Sequence, residues 1–331
     1  MPAMNNLERF LGCCLFALAA PCVARDNADR VVLFPKLTVG QTIHYRIGYS
    51  AKTNTNTEST VVAPMAPNGG QTNSNLLLLV EVEDLRADAG RPIARLRTRI
   101  VEPDVNASNF AATTNDAQHA SDAGKSSKRD KTVAFTLHWD GQVTDVEGFD
   151  RLSSDEQASW QEWVARFGGG AAFPERGIKP GEKWKAEEPI PNTLLTGLSW
   201  EKDSEYVNDA PCAATKLTPQ GDLSAAEQTQ EKCAVILTTA ILKQKSSQKD
   251  ATPEDYKLHD LRTMGIAKGK NETITYISLK TGLVVRATED ANQSMNVIVA
   301  KTDGSNRVHY TTDAESHAQV LLLAETPAGH P

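Results

Sequence analysis

The chain has 331 residues, 40% of them hydrophobic and 23% charged, and a formal net charge of −7. That is an ordinary globular composition, long enough for one large domain or two smaller ones. The acidic balance argues against a nucleic-acid partner, which calls for a basic stripe.

From the amino terminus, one basic residue, Arg9, precedes an uncharged and mostly apolar run from Phe10 to Ala20. Small residues follow at Cys22-Val23-Ala24, a signal-peptidase pattern that places cleavage before Arg25. The run is shorter than the ~20 residues a spanning helix needs. Residues 1–24 therefore read as a signal peptide and 25–331 as a single β-rich extracytoplasmic domain, periplasmic or secreted. Leu18-Ala-Ala-Pro21-Cys22 offers a minority alternative, lipid attachment at Cys22. No transmembrane segment is expected in the mature chain.

Strand signals open at Thr42–Tyr49 and resume at Leu76–Glu83 and Ala94–Val101. Between the first two, residues 50–75 are rich in Thr, Asn, Pro and Gly and read as a polar loop insertion; residues 103–130 read as a second. Arg95, Arg97 and Arg99 alternate with apolar residues and, with Arg91 nearby, share one strand face; cross-strand pairing with Glu81 and Glu83 is favoured over an anion site. In Thr132–Trp139, Val133, Phe135, Leu137 and Trp139 point one way, and Asp140-Gly141 turns the chain into Gln142–Val146. Ser153-Ser-Asp-Glu156 forms a capping box, and Trp160, Trp163, Val164 and Phe167 lie along one face of the helix it starts, which Gly168-Gly-Gly170 ends.

Farther on, Ile178-Lys-Pro-Gly181-Glu echoes Leu37-Thr-Val-Gly40-Gln, which raises the reading of two related halves at 25–150 and 175–325. Once the leader is removed, only Cys212 and Cys233 remain. An even pair in an exported chain reads as one disulfide closing a loop of about 20 residues, which contributes on the order of 3 kcal/mol. A short helix is expected after Thr252-Pro253, with Asp255 completing a box. Gly265-Ile-Ala-Lys-Gly269-Lys270 reads as a turn. Thr273–Leu279 and Leu283–Thr288 make a second hairpin about Lys280-Thr-Gly282, and separate strands follow at Ser294–Ala300, Arg307–Thr311 and Ala318–Leu323, with a turn at Thr302-Asp-Gly304.

Catalytic motifs are missing: no Gly-x-Ser-x-Gly elbow, no His-Glu-x-x-His, no phosphate loop and no dinucleotide fingerprint. His138 with Asp140, and Asp145 with Glu147, read as solvated hairpin residues. Asn106, Asn271 and Asn292 stand in sequons that matter only in a glycosylating host. No catalytic residue, metal ligand or cofactor is assigned.

The leader, the Leu-x-x-Gly entry, the Trp-Asp-Gly hairpin, Lys179-Pro-Gly-x-x-Trp184 and the late Lys-Thr-Gly-Leu turn together resemble uncharacterised exported bacterial β-rich proteins. More loosely, the layout is similar to periplasmic lipoprotein carriers, which implies a curled sheet sheltering an acyl chain. The expected fold is mainly β: a large curved antiparallel sheet, a half-barrel-like meander, packed on one main helix. The expected function is non-enzymatic binding at the envelope, with an apolar or lipid-like ligand on the concave face near Trp160, Trp163, Phe167, Phe135 and Trp139. Alternatives are a structural or protein-interaction module at the cell surface with an envelope protein as partner, and, third, a hydrolase with an unrecognised site.

Overall fold

The computed structural model describes residues 30–61, 68–88, 90–101, 131–139, 141–167, 173–190, 193–217, 223–225 and 231–324. The leader and its Cys22, residues 103–130, Asn106, Asp140 and Gly168–Gly170 lie outside them.

Residues 31 onward form one unit built on a single sheet. Its strands are β1 (Thr42–Ser59), β2 (Asn68–Asp88), β3 (Arg91–Val101), β4 (Thr132–His138), β5 (Val143–Glu147), β6 (Lys183–Pro189), β7 (Leu198–Cys212), β8 (Thr215–Leu217), β9 (Leu223–Ala225), β10 (Glu231–Gln244), β11 (Leu261–Ser278), β12 (Val284–Lys301) and β13 (Val308–Leu323). Between β5 and β6 runs α1 (Ser154–Phe167), and before β11 stands α2 (Glu254–Leu258). The order across the sheet is β5-β4-β3-β2-β1-β13-β12-β11-β10-β7-β6, with β8 and β9 as a small side hairpin. Apart from one parallel bridge at Leu323 and Thr215, all pairs are antiparallel. The mainly β, antiparallel fold on one main helix is therefore what the structure shows.

That order is an up-and-down meander in which the first and last strands pair, β1 with β13. With the β8–β9 side hairpin set aside, one link between neighbours along the chain is missing: β5 and β6 do not pair, and α1 occupies the connection between them. The sheet therefore stays open at that point, and α1 lies on its inner face, packed on β1, β2 and β12.

The capping box forms as expected. Ser153 N–H donates to Glu156 Oε2 at 2.9 Å, and Glu156 N–H donates to Ser153 Oγ at 3.4 Å. One core joins the buried face of α1 to β1, β2, β3 and β4 on one side and to β7, β10, β11, β12 and β13 on the other. A second, smaller apolar cluster, including Leu195, Leu198, Leu242, Ala267 and Val297, fills the other end of the inner face.

Several local readings change. Residues 50–75 are mostly strand: β1 continues to Ser59 and β2 begins at Asn68. No apolar face drives this stretch, in which Lys52, Asn54, Asn56 and Glu58 are exposed and the Thr side chains between them are half-buried. Instead β1 is laddered on both sides, by β2 and β13. Those backbone bonds and the β-branched threonines, Thr55 facing Thr312 at 3.3 Å, offset the ordering cost. For the same reason Ser294–Ala300 is the end of one continuous β12, and Arg307–Thr311 and Ala318–Leu323 merge into β13.

The 265–270 segment is the middle of β11, not a turn. There Gly269 gives space to an indole: a Cβ on it would lie 2.7 Å from the Trp200 ring. The box expected at Thr252 is absent, since Pro253 caps α2 without a side-chain bond and Thr252 Oγ1 is turned to Asp250 and Thr263.

The echo between Leu37–Gln41 and Ile178–Glu182 is structural at the turn itself. Gly40 and Gly181 share φ near +80°, each donating its N–H to the strand that pairs with the one it enters, to Val82 O of β2 at 2.8 Å and Tyr206 O of β7 at 2.6 Å. In each, the fourth side chain accepts from the first backbone N–H, Gln41 from Thr38 at 3.1 Å and Glu182 from Lys179 at 3.2 Å. Cys212 and Cys233 are bridged, with Cα atoms 5.6 Å apart, tying the end of β7 to the start of β10.

Candidate functional site

Four of the five aromatic candidates meet in one packed cluster. Trp163 and Phe167 stack at 4.7 Å, Phe135 meets Trp160 edge-on at 5.5 Å, and Tyr45 of β1 closes the group against Trp163 and Phe167. All four are fully or almost fully buried. Trp160 Nε1 donates to Thr98 Oγ1 at 2.9 Å, and Thr98 in turn bonds Val133 O. Trp139 stands apart at the hairpin end, under the Arg91 guanidinium at 4.1 Å. The cluster holds the helix on the sheet.

The space lies beside it. A cavity of about 300 Å³ opens between α1 and the inner face of β6, β7, β10, β11 and β12. Strand alternation decides which residues reach it. In register, Trp184 faces Ser204, Ser204 faces Thr238, Thr238 faces Thr273 and Thr273 faces Glu289, so one row of inward side chains crosses all five strands. Apolar surface comes from Trp184, Trp200, Phe173, Ile236 and Ile277, with Phe173 and Trp184 in ring contact at 5.7 Å. None of the five aromatic candidates is among the lining residues.

The opposite wall is charged. Arg166, on the helix face next to the aromatic stripe, is only 7% exposed. Its guanidinium pairs with Glu162 at 2.6 Å, one helical turn back, and with Glu289 of β12. Thr273 Oγ1 lies 3.0 Å from both Glu289 Oε2 and Asn271 Oδ1. Burial pushes the Glu162 carboxyl above its ordinary range; Arg166 opposes the shift and Glu289 adds to it. Across the cavity, Lys202 pairs with Glu188 at 2.5 Å. Three carboxylates thus face two cations on the lining, an excess of one negative charge. Arg166 Nε itself is closed off from the cavity and has no hydrogen-bond partner.

Three of the strand-face arginines stand in ion pairs, of which Arg97 with Glu83 is the expected one. Arg97 pairs with Glu83, Arg95 with Glu147 at 2.8 Å, and Arg91 with Glu175 at 3.3 Å. His138 Nε2 lies 2.9 Å from Thr144 Oγ1. Among the described residues, no group of three or more His, Cys, Asp or Glu is placed to hold a metal ion, and no helix is long and apolar enough to cross a membrane.

No protein-family model matches the chain, and no curated protein does. Among solved structures it is similar to a candidate lipoprotein from Parabacteroides distasonis, at 8% identity and a TM-score of 0.26, over 86% of this chain and 98% of that one. It is also similar to an outer membrane channel from Pseudomonas putida, at 9% identity and a TM-score of 0.14, over 87% and 98%. A third is the CymD monoaromatic hydrocarbon channel, at 9% identity and a TM-score of 0.13, over 88% and 90%. Superpositions this loose carry no argument about function.

Proposed function

We propose that this chain is an extracytoplasmic, non-enzymatic binding protein that holds an apolar or lipid-like molecule in the cavity between α1 and β6, β7, β10, β11 and β12. The observation that carries the reading is the cavity itself: about 300 Å³ of space walled on one side by Trp184, Trp200, Phe173, Ile236 and Ile277. Close-packed interiors do not leave such a volume by chance, and ligand pockets start at about this size. In this reading Trp160, Trp163, Phe167 and Phe135 fix the helix that forms one wall, and the ligand touches their neighbours. The signal-peptide pattern of residues 1–24 and the Cys212–Cys233 bridge support a compartment that oxidises thiols.

The test is direct. The naturally exported protein is extracted into organic solvent and analysed by mass spectrometry, and the stripped protein is titrated with the fluorescent apolar probe 1-N-phenylnaphthylamine. Saturable enhancement is expected, lost in Thr275→Trp, which fills the cavity from β11. No co-extracted molecule together with no probe binding would sink the reading.

One observation favours the protein-interaction alternative. Val207, Leu237, Ile241 and Ile274 lie exposed on the outer face of β7, β10 and β11, with Leu237 and Ile274 directly opposed. Pull-down of an envelope protein that is lost with Leu237→Lys and retained with Thr275→Trp would decide for it.

A further inference from the structure

We propose that Trp200 is the end wall of the cavity and sets the length of apolar chain the protein accepts. A ligand tail would run along the inner face of the sheet as far as that indole and no farther. This rests on the binding function argued above and names the residue that fixes its specificity.

Side chains on the inner face of β6, β7, β10, β11 and β12 are paired in register, in rows that follow one another along the strands. The cavity stands over the row from Trp184 to Glu289 and over the next, in which Ala186, Lys202, Ala240, Asn271 and Ala291 face one another in turn. Ala240, at the middle of that second row, is too small to fill the space above it. The third row holds Trp200, opposite Glu188 on one side and Leu242 on the other, with Gly269 opposite Gln293 farther across. In the fourth, Leu198 and Ala267 already belong to the second apolar cluster. Trp200 therefore stands where open space gives way to packed core.

Its ring lies across the strands. A Cβ on Gly269 would be 2.7 Å from Trp200 Cη2, although Gly269 is on β11 and β10 lies between β11 and β7. Neighbouring strands are about 4.8 Å apart, so the indole crosses β10 and its far edge rests on the bare backbone of β11. Leu242 Cβ and Gln293 Cγ crowd the same point at 3.2 and 3.3 Å, so the space above Gly269 is filled. Leu195 and Val297 of the second cluster are fully buried; Trp200, which packs against that cluster, is half-buried and also lines the cavity. Each methylene that a tail buries before the wall improves affinity about fourfold. One that meets an indole braced on close-packed core gains nothing, because the core yields only under strain.

The experiment is a chain-length series on the intact mature protein loaded with 1-N-phenylnaphthylamine, using straight 1-alkanols from hexanol to tetradecanol as competitors. On the wild-type protein, displacement is expected to improve about fourfold per carbon up to a break and then to level off or worsen. In Trp200→Leu, which keeps an apolar side chain on the second cluster but no longer reaches β11, the break is expected to move up by about two carbons. In the milder Trp200→Phe it is expected to move by about one. An uninterrupted gain through tetradecanol on the wild-type protein would overturn the assignment, and that measurement needs no variant to fold. A break that stays in place in the Leu and Phe variants would overturn it as well. A protein that does not bind the probe at all would remove the cavity reading and this inference with it, whereas probe binding without a movable break would remove only the inference.

Discussion

At Arg166 two carboxylates depend on one guanidinium, and the side chain is almost wholly buried. Replacing it with Met keeps the volume but strands Glu162 and Glu289 in the interior. A loss of about 3–5 kcal/mol at pH 7 is expected from urea unfolding, partly recovered in acid as Glu162, whose carboxyl burial already raises, takes up a proton. Glu156 has the opposite sign. Burial alone would raise its carboxyl, but Lys131, 2.7 Å away, and the Ser153 N–H outweigh it and hold it below its ordinary range. A group depressed in the fold stabilises above its unfolded pKa and stops doing so as pH falls through its folded value. Glu156→Gln should therefore cost about 1 kcal/mol at pH 7, and the gap to wild type should close only as pH falls below the ordinary glutamate range. Gly269 bears on the site by its missing side chain. In Gly269→Ala the new methyl presses on Trp200, and probe affinity should fall severalfold while far-UV circular dichroism stays unchanged. The lining was hard to see in the sequence for a related reason. Trp184, Trp200, Ile236 and Glu289 are single inward positions on four different strands, and register alone brings them together. By contrast the Trp160, Trp163 and Phe167 stripe was legible because its 3–4 spacing lies within one helix, and such a stripe is what a packed helix needs.

Among elements, those with local chemistry were readable and those sustained by neighbours were not. The Ser153–Glu156 box, the β4–β5 hairpin and the Gly40 and Gly181 turns each follow from a handful of adjacent residues. The polar halves of β1, β12 and β13 do not, because an alternation of Thr, Asn and Ser carries no burial signal and the strand persists through ladders on both sides. The Cys212–Cys233 bridge belongs to this scale as well. It spans 21 residues at the β7–β10 connection, next to cavity strands, and its removal in Cys212→Ser/Cys233→Ser should lower unfolding stability by about 3 kcal/mol. The same double variant should leave probe affinity unchanged, since neither sulfur lies on the lining.

On the scale of the whole unit, the main path of the sheet ends, among the described residues, at β5 and β6, on either side of the α1 connection. Both are short, and β6 alternates Lys183, Lys185 and Glu187 outward and ends at Pro189, features that discourage pairing with another molecule. The sheet's middle is the junction of β1 with β13, running from His44 opposite Leu323 to Ser59 opposite Val308. Deleting residues 308–324 should therefore leave no cooperative unfolding transition, where deleting β8 and β9 from the side hairpin would shift the midpoint only slightly.

That junction also sets a clock on synthesis. The first strand of the sheet, β1, cannot complete its ladder until the last strand, β13, has left the ribosome, so the central seam forms only after every other strand has been made. In the extracytoplasmic reading proposed above, lateness of this kind keeps the thread slack until passage through the export channel is finished.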